Sequence, residues 1–216
     1  MELGQENNAV RLVGTVASAA VFSHENRGTR FFLLPLSVER LSGVRDELHV
    51  LLRETQLASL ECCEAERLCV EGELRSFNDR SGTGARLRLA VFARRVAFCG
   101  DEDENEVLLR GALCKEPRLR RTPMGREICD LMLAVRRRYA RADYLPCICW
   151  GEAARQAALW PVGAGVLLRG RLQSRRYIKQ TEYGPQERTA YEVSAATLAR
   201  LDADAQSSPF CSGSAR

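Results

Sequence analysis

Lysine and histidine are nearly missing from this chain. Of its 32 basic residues only Lys115 and Lys179 are lysine, and His24 and His49 are the sole histidines. The nine cysteines form no Cys-x-x-Cys knuckle: Cys62 and Cys63 are adjacent, and Cys147 and Cys149 lie two apart. That spacing, with so little histidine, argues against a zinc site. Their odd number and the polar opening Met1-Glu-Leu-Gly-Gln-Glu6, which does not read as an export signal, argue against a disulfide scaffold. Reduced, buried thiols are expected. Long apolar runs are missing too, and none approaches the roughly 20 residues of a membrane helix. The expectation is a soluble, cytoplasmic protein. The glycine-rich Ser81-Gly-Thr-Gly-Ala85 lacks the Gly-Lys-Ser/Thr of a phosphate loop and reads as a hairpin tip. No His/Asp/Ser or Cys/His set falls on matched strand ends. Neither an enzyme, a metal nor a cofactor is expected.

What is present is ordinary globular composition: 216 residues, 45% hydrophobic and 28% charged, enough for two domains. The charge is unevenly placed. Residues 1–104 hold 13 basic and 17 acidic side chains, a net −4, whereas residues 105–216 hold 19 and 11, a net +8. A basic half attracts polyanions. Its cations are mostly arginine, which forks onto phosphate and stacks on flat rings.

The chain repeats itself. Asn8-Ala-Val-Arg-Leu-Val-Gly-Thr-Val16 matches Asn105-Glu-Val-Leu-Leu-Arg-Gly-Ala-Leu113 at an offset of 97. At that offset Gly28 falls on Gly125, Val38 on Val135, Asp46 on Asp143 and Leu48 on Leu145. At offset 98, the stretch from Leu68 through Gly72 to Ser76 falls on that from Val166 through Gly170 to Ser174. Acidic Gly100-Asp-Glu-Asp-Glu104 lies between the copies and suits a linker. The expected organisation is 1–99, linker 100–104, 105–201 and a short tail 202–216.

Each copy reads as strands with period-two alternation. Val10, Leu12, Gly14 and Val16 share one face, as do Val107, Leu109, Gly111 and Leu113. Gly14 and Gly111 suggest a sharp coil or bulge. Leu131, Leu133 and Val135 follow a turn at Pro123-Met-Gly125, and Leu145, Cys147 and Cys149 alternate next. Glu152 to Trp160 is alanine-rich and helical, stopped by Pro161. Gly165–Leu172 and Tyr191–Leu198 supply two more strands. The first copy follows, with Thr55–Leu60 in the helix slot and Ala85–Val96 as its last strand. The fold class is all-β: two tandem OB-folds, five-stranded Greek-key barrels, each with a short helix after the third strand.

The third strand of the second copy carries an outward face of Tyr144, Pro146, Ile148 and Trp150. Arg136, Arg137, Arg138 and Arg141 precede it, and Arg169, Arg171, Arg175, Arg176 and Lys179 follow on the next hairpin. Tyr139 and Tyr177 sit within these basic runs. Bases stack on rings at roughly 1–3 kcal/mol each while cations follow the phosphates. These residues are the candidate nucleic-acid site. Trp160, beside Pro161, reads instead as a structural cap.

The second copy resembles the bacterial single-stranded DNA-binding protein family. The resemblance runs through Asn105–Leu113, Lys115-Glu-Pro-Arg-Leu-Arg-Arg-Thr-Pro-Met-Gly125, Leu133-Ala-Val-Arg-Arg137, Ala142-Asp-Tyr-Leu-Pro-Cys-Ile-Cys-Trp-Gly151, Gly165–Tyr177 and Tyr191-Glu-Val193. It implies an OB-fold that binds single-stranded DNA cooperatively without sequence preference and without catalysis, in replication, recombination or repair. The family's stacking aromatics carry over to Tyr144, Trp150 and Tyr177, and to Tyr139 in a shorter loop. Its assemblies of four OB-folds imply a homodimer here. The family's acidic Pro-Phe tip, which recruits replication and repair proteins, is not matched: Ser207-Ser-Pro-Phe210 is followed by Cys211-Ser-Gly-Ser-Ala-Arg216. The first copy has Glu47, Arg53 and Ser42 where the second has Tyr144, Trp150 and Tyr139. Only Phe77 offers a ring, near the place of Tyr177. It reads as a divergent assembly domain; the alternative is that it binds a protein or covers DNA weakly through Arg27, Arg30 and Arg75. Other readings are a non-enzymatic adaptor for a replication-restart or mobile-element complex, and an RNA-binding OB protein.

Overall fold

Alternation along the first strand decides what lies inside the first barrel. The structure, a computed structural model, describes residues 7–60, 65–79, 86–139, 141–181 and 184–201. In β1 (Asn8–Val16), Val10, Leu12 and Val16 are buried in the core, with Ala9, Arg11 and Thr15 half-buried between them. After the hairpin arm β2 (Val21–Asn26), the alternation recurs in β3 (Thr29–Glu39) and β4 (Arg45–Arg53). The helix α1 (Glu54–Leu60) adds Leu60 to the core, and β5 (Arg67–Asp79) and β6 (Arg86–Phe98) complete the copy. The sheet closes on itself. β1 pairs antiparallel with β3 and β5, β3 with β4 and β5 with β6, while β4 runs parallel to β6. The closing contacts are short, two residue pairs between β1 and β3 and two between β4 and β6.

The second copy repeats this plan with β7 (Glu104–Leu113), the arm β8 (Arg118–Arg121), β9 (Glu127–Arg136), β10 (Ala142–Trp150), α2 (Gly151–Ala157), β11 (Gly165–Thr181) and β12 (Gly184–Leu201). It closes through the same five pairings, including parallel β10–β12. The two OB-fold barrels expected from the sequence are therefore present. The arms β2 and β8 are additions. Neither Val21-Phe-Ser-His-Glu-Asn26 nor Arg118-Leu-Arg-Arg121 alternates cleanly, because both are largely exposed and pair on one side only.

The helix after β10 is shorter than its sequence suggested. It ends at Ala157, and the chain tightens as the N–H groups of Leu159 and Trp160 donate to Gln156 O and Ala157 O, both at 3.1 Å. Pro161 disfavours helical backbone at the residue before it. Trp160 packs half-buried against the core, as a cap would. The linker is also more ordered than its composition implies. Asp103 accepts the Glu39 N–H at 2.5 Å and pairs with Arg67 at 2.7 Å, so this stretch is tied to the first barrel.

The barrels join through β1 and β7, which pair antiparallel with Val10 opposite Val107. Those residues are counterparts in the repeat, so they sit on a pseudo-twofold axis. The repeated asparagines each lock a strand inside their own barrel. The Asn8 side-chain amide donates to Leu74 O at 2.7 Å and accepts from Leu74 N–H at 2.8 Å; Asn105 does the same with Leu172 at 2.7 and 2.9 Å.

Gly14 and Gly111 are not at bulges. Register shifts fall at Phe22/His24, Glu71/Gly72 and Arg169/Gly170. Gly14 and Gly111 instead sit where their strands turn onto β3 and β9. A Cβ on Gly111 would lie 2.6 Å from Ala134 O, and one on Gly14 would lie 2.5 Å from Ser37 O. Gly111→Ala is therefore expected to cost about 1–3 kcal/mol, read as a lower urea midpoint at unchanged m-value.

Of the six described thiols, Cys69, Cys99 and Cys114 are only half-buried, so the expectation of buried thiols holds for the other three. Cys129, Cys147 and Cys149 are buried, and burial pushes the Cys149 thiol up to about 12 and that of Cys147 upward as well. No cluster of three or more metal-binding side chains occurs among the described residues, nor any helix long and apolar enough to cross a membrane. Cys62, Cys63, Cys211, the Ser81–Ala85 tip and the 202–216 tail lie outside the described residues.

Candidate nucleic-acid interface

Strand β10 presents its rings as the alternation predicts. Asp143, Leu145, Cys147 and Cys149 are buried, whereas Tyr144 is 52% and Trp150 38% exposed. Ala134 lies opposite Tyr144 in β9, and a methyl group there leaves the ring uncovered. Trp150 caps α2, and Gly151 follows it with φ of 59°, a backbone conformation that L-residues adopt at a cost. The two rings are six residues apart on one strand, so they stand about 20 Å from each other. The face between them is not open throughout, since Ile148 is buried and Pro146 half-buried.

The loop before β10 is closed by a hydrogen bond from Arg137 N–H to Arg141 O at 2.8 Å. At its tip Tyr139 has φ of 61° and is 92% exposed. Arg136, Arg138 and Arg141 are exposed and make no ion pair among the described residues. Arg137 is different. Its guanidinium is engaged by the buried carboxylate of Asp143, which removes it from the cations available to a phosphate.

Tyr177, 36% exposed, belongs to a separate element. It lies three residues beyond Ser174 on the β11–β12 hairpin, and Ser174 is pinned to the first barrel. Asp46 of β4 accepts the Ser174 N–H at 2.7 Å and its hydroxyl at 2.8 Å, while Arg40 donates to Asp46 twice at 2.6 Å and to Ser174 O at 3.0 Å. Nearby, Tyr191 of β12 meets His49 of β4 at 5.3 Å between ring centroids. The hairpin carrying Tyr177 therefore leans on the first barrel, and the candidate rings are divided between two elements. Arg175 lies over the Tyr177 ring at 5.6 Å, and Arg176 is within 4.0 Å of Glu187. Arg169 and Arg171 are exposed beside the barrel seam, lining a cleft with Arg11, Glu71 and Glu104 rather than the face of Tyr144. The Lys179 side chain lies outside the described residues.

The counterpart clasp joins the first barrel to β10. Asp143 accepts the Ser76 N–H at 2.7 Å, the Ser76 hydroxyl at 3.3 Å and Arg75 at 3.2 Å, besides Arg137. Burial alone would push the Asp143 carboxyl up, but Arg137, the Ser76 N–H and Arg75 outweigh it and hold it below the ordinary carboxylate value. Asp46 is lowered in the same way, with Arg40 and Ser174 overcoming burial.

Besides Phe77, the first barrel holds rings that position-by-position comparison does not find. Phe31, Leu51 and Ala90 form a buried cluster with Leu33, Phe77 and Phe92 against it. His24 stacks on Phe31 at 4.9 Å, Arg53 lies over Phe92 at 5.0 Å, and Arg30 lies over both Phe22 and Phe32 at 5.3 and 5.4 Å. These rings come from β2, β3, β5 and β6 instead of β4. The adjacent pair Phe31-Phe32 was their one signal in the sequence.

Residues 104–201 match the Single-strand binding protein family. Single-stranded DNA-binding protein B of Bacillus subtilis is 38% identical over 80 residues, which cover 34% of this chain and 71% of that protein. The chain belongs to the single-strand binding protein family. Among other relatives in it, single-stranded DNA-binding protein 3 of Streptococcus agalactiae is 34% identical over 83 residues, 35% of this chain and 60% of that one. The chain thus spans less than two thirds of that relative. The family likeness extends over both barrels in three dimensions. The wild-type single-stranded DNA binding protein from Thermus aquaticus superposes with a TM-score of 0.73 at 26% identity, over 95% of this chain and 96% of that one. These two sequence matches each cover about a third of the chain, whereas the structural match takes in the acidic first copy as well.

Proposed function

We propose that this protein binds and covers single-stranded DNA without sequence preference and without catalysis, in replication, recombination or repair. The observation that carries the reading is the exposed pair Tyr144 and Trp150 on β10, with the exposed cations Arg136, Arg138 and Arg141 at the Tyr144 end of the strand. Unpaired bases stack on the rings while the guanidinium groups follow the backbone. Membership of a family whose relatives bear that name supports it. Tyr139, Tyr177, Arg175 and Arg176 extend the surface, and a homodimer would present four barrels. The rings and arginines of the first barrel favour a longer path in which the same strand passes over Phe22 and Arg30.

Titration with oligothymidine at two salt concentrations tests the proposal. Binding is expected to quench Trp150 fluorescence and to weaken steeply as salt rises, because each neutralised phosphate releases counterions. Affinity indifferent to salt, with no quenching, counts against it. A well-folded protein that ignores DNA would favour an adaptor role, and competition with a matched RNA strand tests preference for sugar.

A further inference from the structure

We infer that Ser76 of the first barrel is a positioning residue for the stacking ring of the second, acting through the backbone of Tyr144. The inference rests on the reading of Tyr144 as a base-stacking platform and adds an element that belongs to the other copy.

The geometry is specific. The Ser76 hydroxyl accepts the Tyr144 N–H at 2.9 Å and donates to Asp143 at 3.3 Å, while its own N–H reaches the same carboxylate at 2.7 Å. One serine therefore holds two consecutive residues of β10 from across the seam. Asp143 is fully buried beneath the exposed Tyr144, so the strand is gripped directly under the ring. The same carboxylate engages Arg137, at the base of the loop that carries Arg138, Tyr139 and Arg141. Arg137 also donates to Ser76 O at 3.4 Å. One residue of the first barrel thus bonds both to the strand under the ring and, directly and through Asp143, to Arg137 at the root of the cationic loop.

The counterpart clasp makes the point by its difference. Asp46 and Ser174 repeat the carboxylate–serine pair, but the residue after Asp46 is Glu47, an exposed carboxylate, and no bond joins its N–H to Ser174 among the described residues. The additional bond occurs where an exposed ring follows the buried aspartate. A ring held by its backbone loses less freedom when a base stacks on it, so the hydroxyl contributes to affinity without touching DNA.

A double-mutant cycle tests this with the full chain and labelled oligothymidine, folding being checked by thermal denaturation. Ser76→Ala is expected to weaken binding about threefold to tenfold, and Ser76→Thr, which keeps the hydroxyl, to restore most of it. In a Tyr144→Ala background the Ser76→Ala cost is expected to vanish, because Ser76 acts through the ring. An equal cost in both backgrounds, or none in the wild type, overturns the inference while leaving the platform intact. If Tyr144→Ala alone leaves affinity unchanged, the platform reading itself fails.

Discussion

Replacing Tyr144 and Trp150 together by alanine is expected to weaken oligothymidine binding by about 30-fold or more. Each stacked base contributes roughly 1–3 kcal/mol, so losing both platforms removes about 2–6 kcal/mol. The folded state should tolerate the change, because both rings stand on the outward face of β10 while Leu145, Cys147 and Cys149 keep the core filled. Anisotropy of a labelled oligonucleotide measures the loss, and unchanged circular dichroism and melting temperature show that the barrel survives. Unaltered affinity would remove both residues from the interface. The salt slope is expected to change little, since neither ring neutralises a phosphate.

Asp143→Ala is expected to cost about 3 kcal/mol of stability. It strands Arg137, Arg75 and the Ser76 N–H around a site from which water is excluded, Asp143 being fully buried. Arg137 and Arg75 are about a quarter exposed and regain some hydration, which places the loss at the lower end for a broken buried pair. Guanidinium denaturation measures it. The pH dependence has a definite sign. Since the Asp143 carboxyl is held below its ordinary value, its stabilisation is complete above about pH 3.9 and is lost as pH falls below that. The stability gap between wild type and Asp143→Asn should therefore shrink below about pH 4. A gap that stays constant down to pH 2 would show that the carboxylate charge contributes nothing.

The difference between these two sites also separates what could be read early from what could not. Strand alternation at Leu131, Leu133 and Val135, and at Leu145, Cys147 and Cys149, identified the core face and so placed Tyr144 and Trp150 outside it. The Asn8 and Asn105 copies revealed the duplication, and each proves to hold a strand within its own barrel. Arg137 was counted with its neighbours as a phosphate contact because sequence shows charge but not its partner. Its partner lies six residues away around a loop, fixed by a carboxylate that also binds the other barrel. Tyr177 reads as a candidate beside Tyr144 for the same reason: nothing local says that its hairpin will lean on β4. The rings of the first barrel other than Phe77 are not found from the sequence because they come from strands that do not align with β10.

The order of residues alone determined the two barrels, the core positions of their main strands and the two exposed rings of β10, because a period of two is a local property of extended chain; it did not show that Ile148, on the outward face of β10, would be buried. Tertiary structure decided how the copies meet and which cations remain for a ligand. Those outcomes depend on contacts between residues far apart in sequence, Asp143 with Ser76 and Asp46 with Ser174, and no short-range pattern records such a pairing.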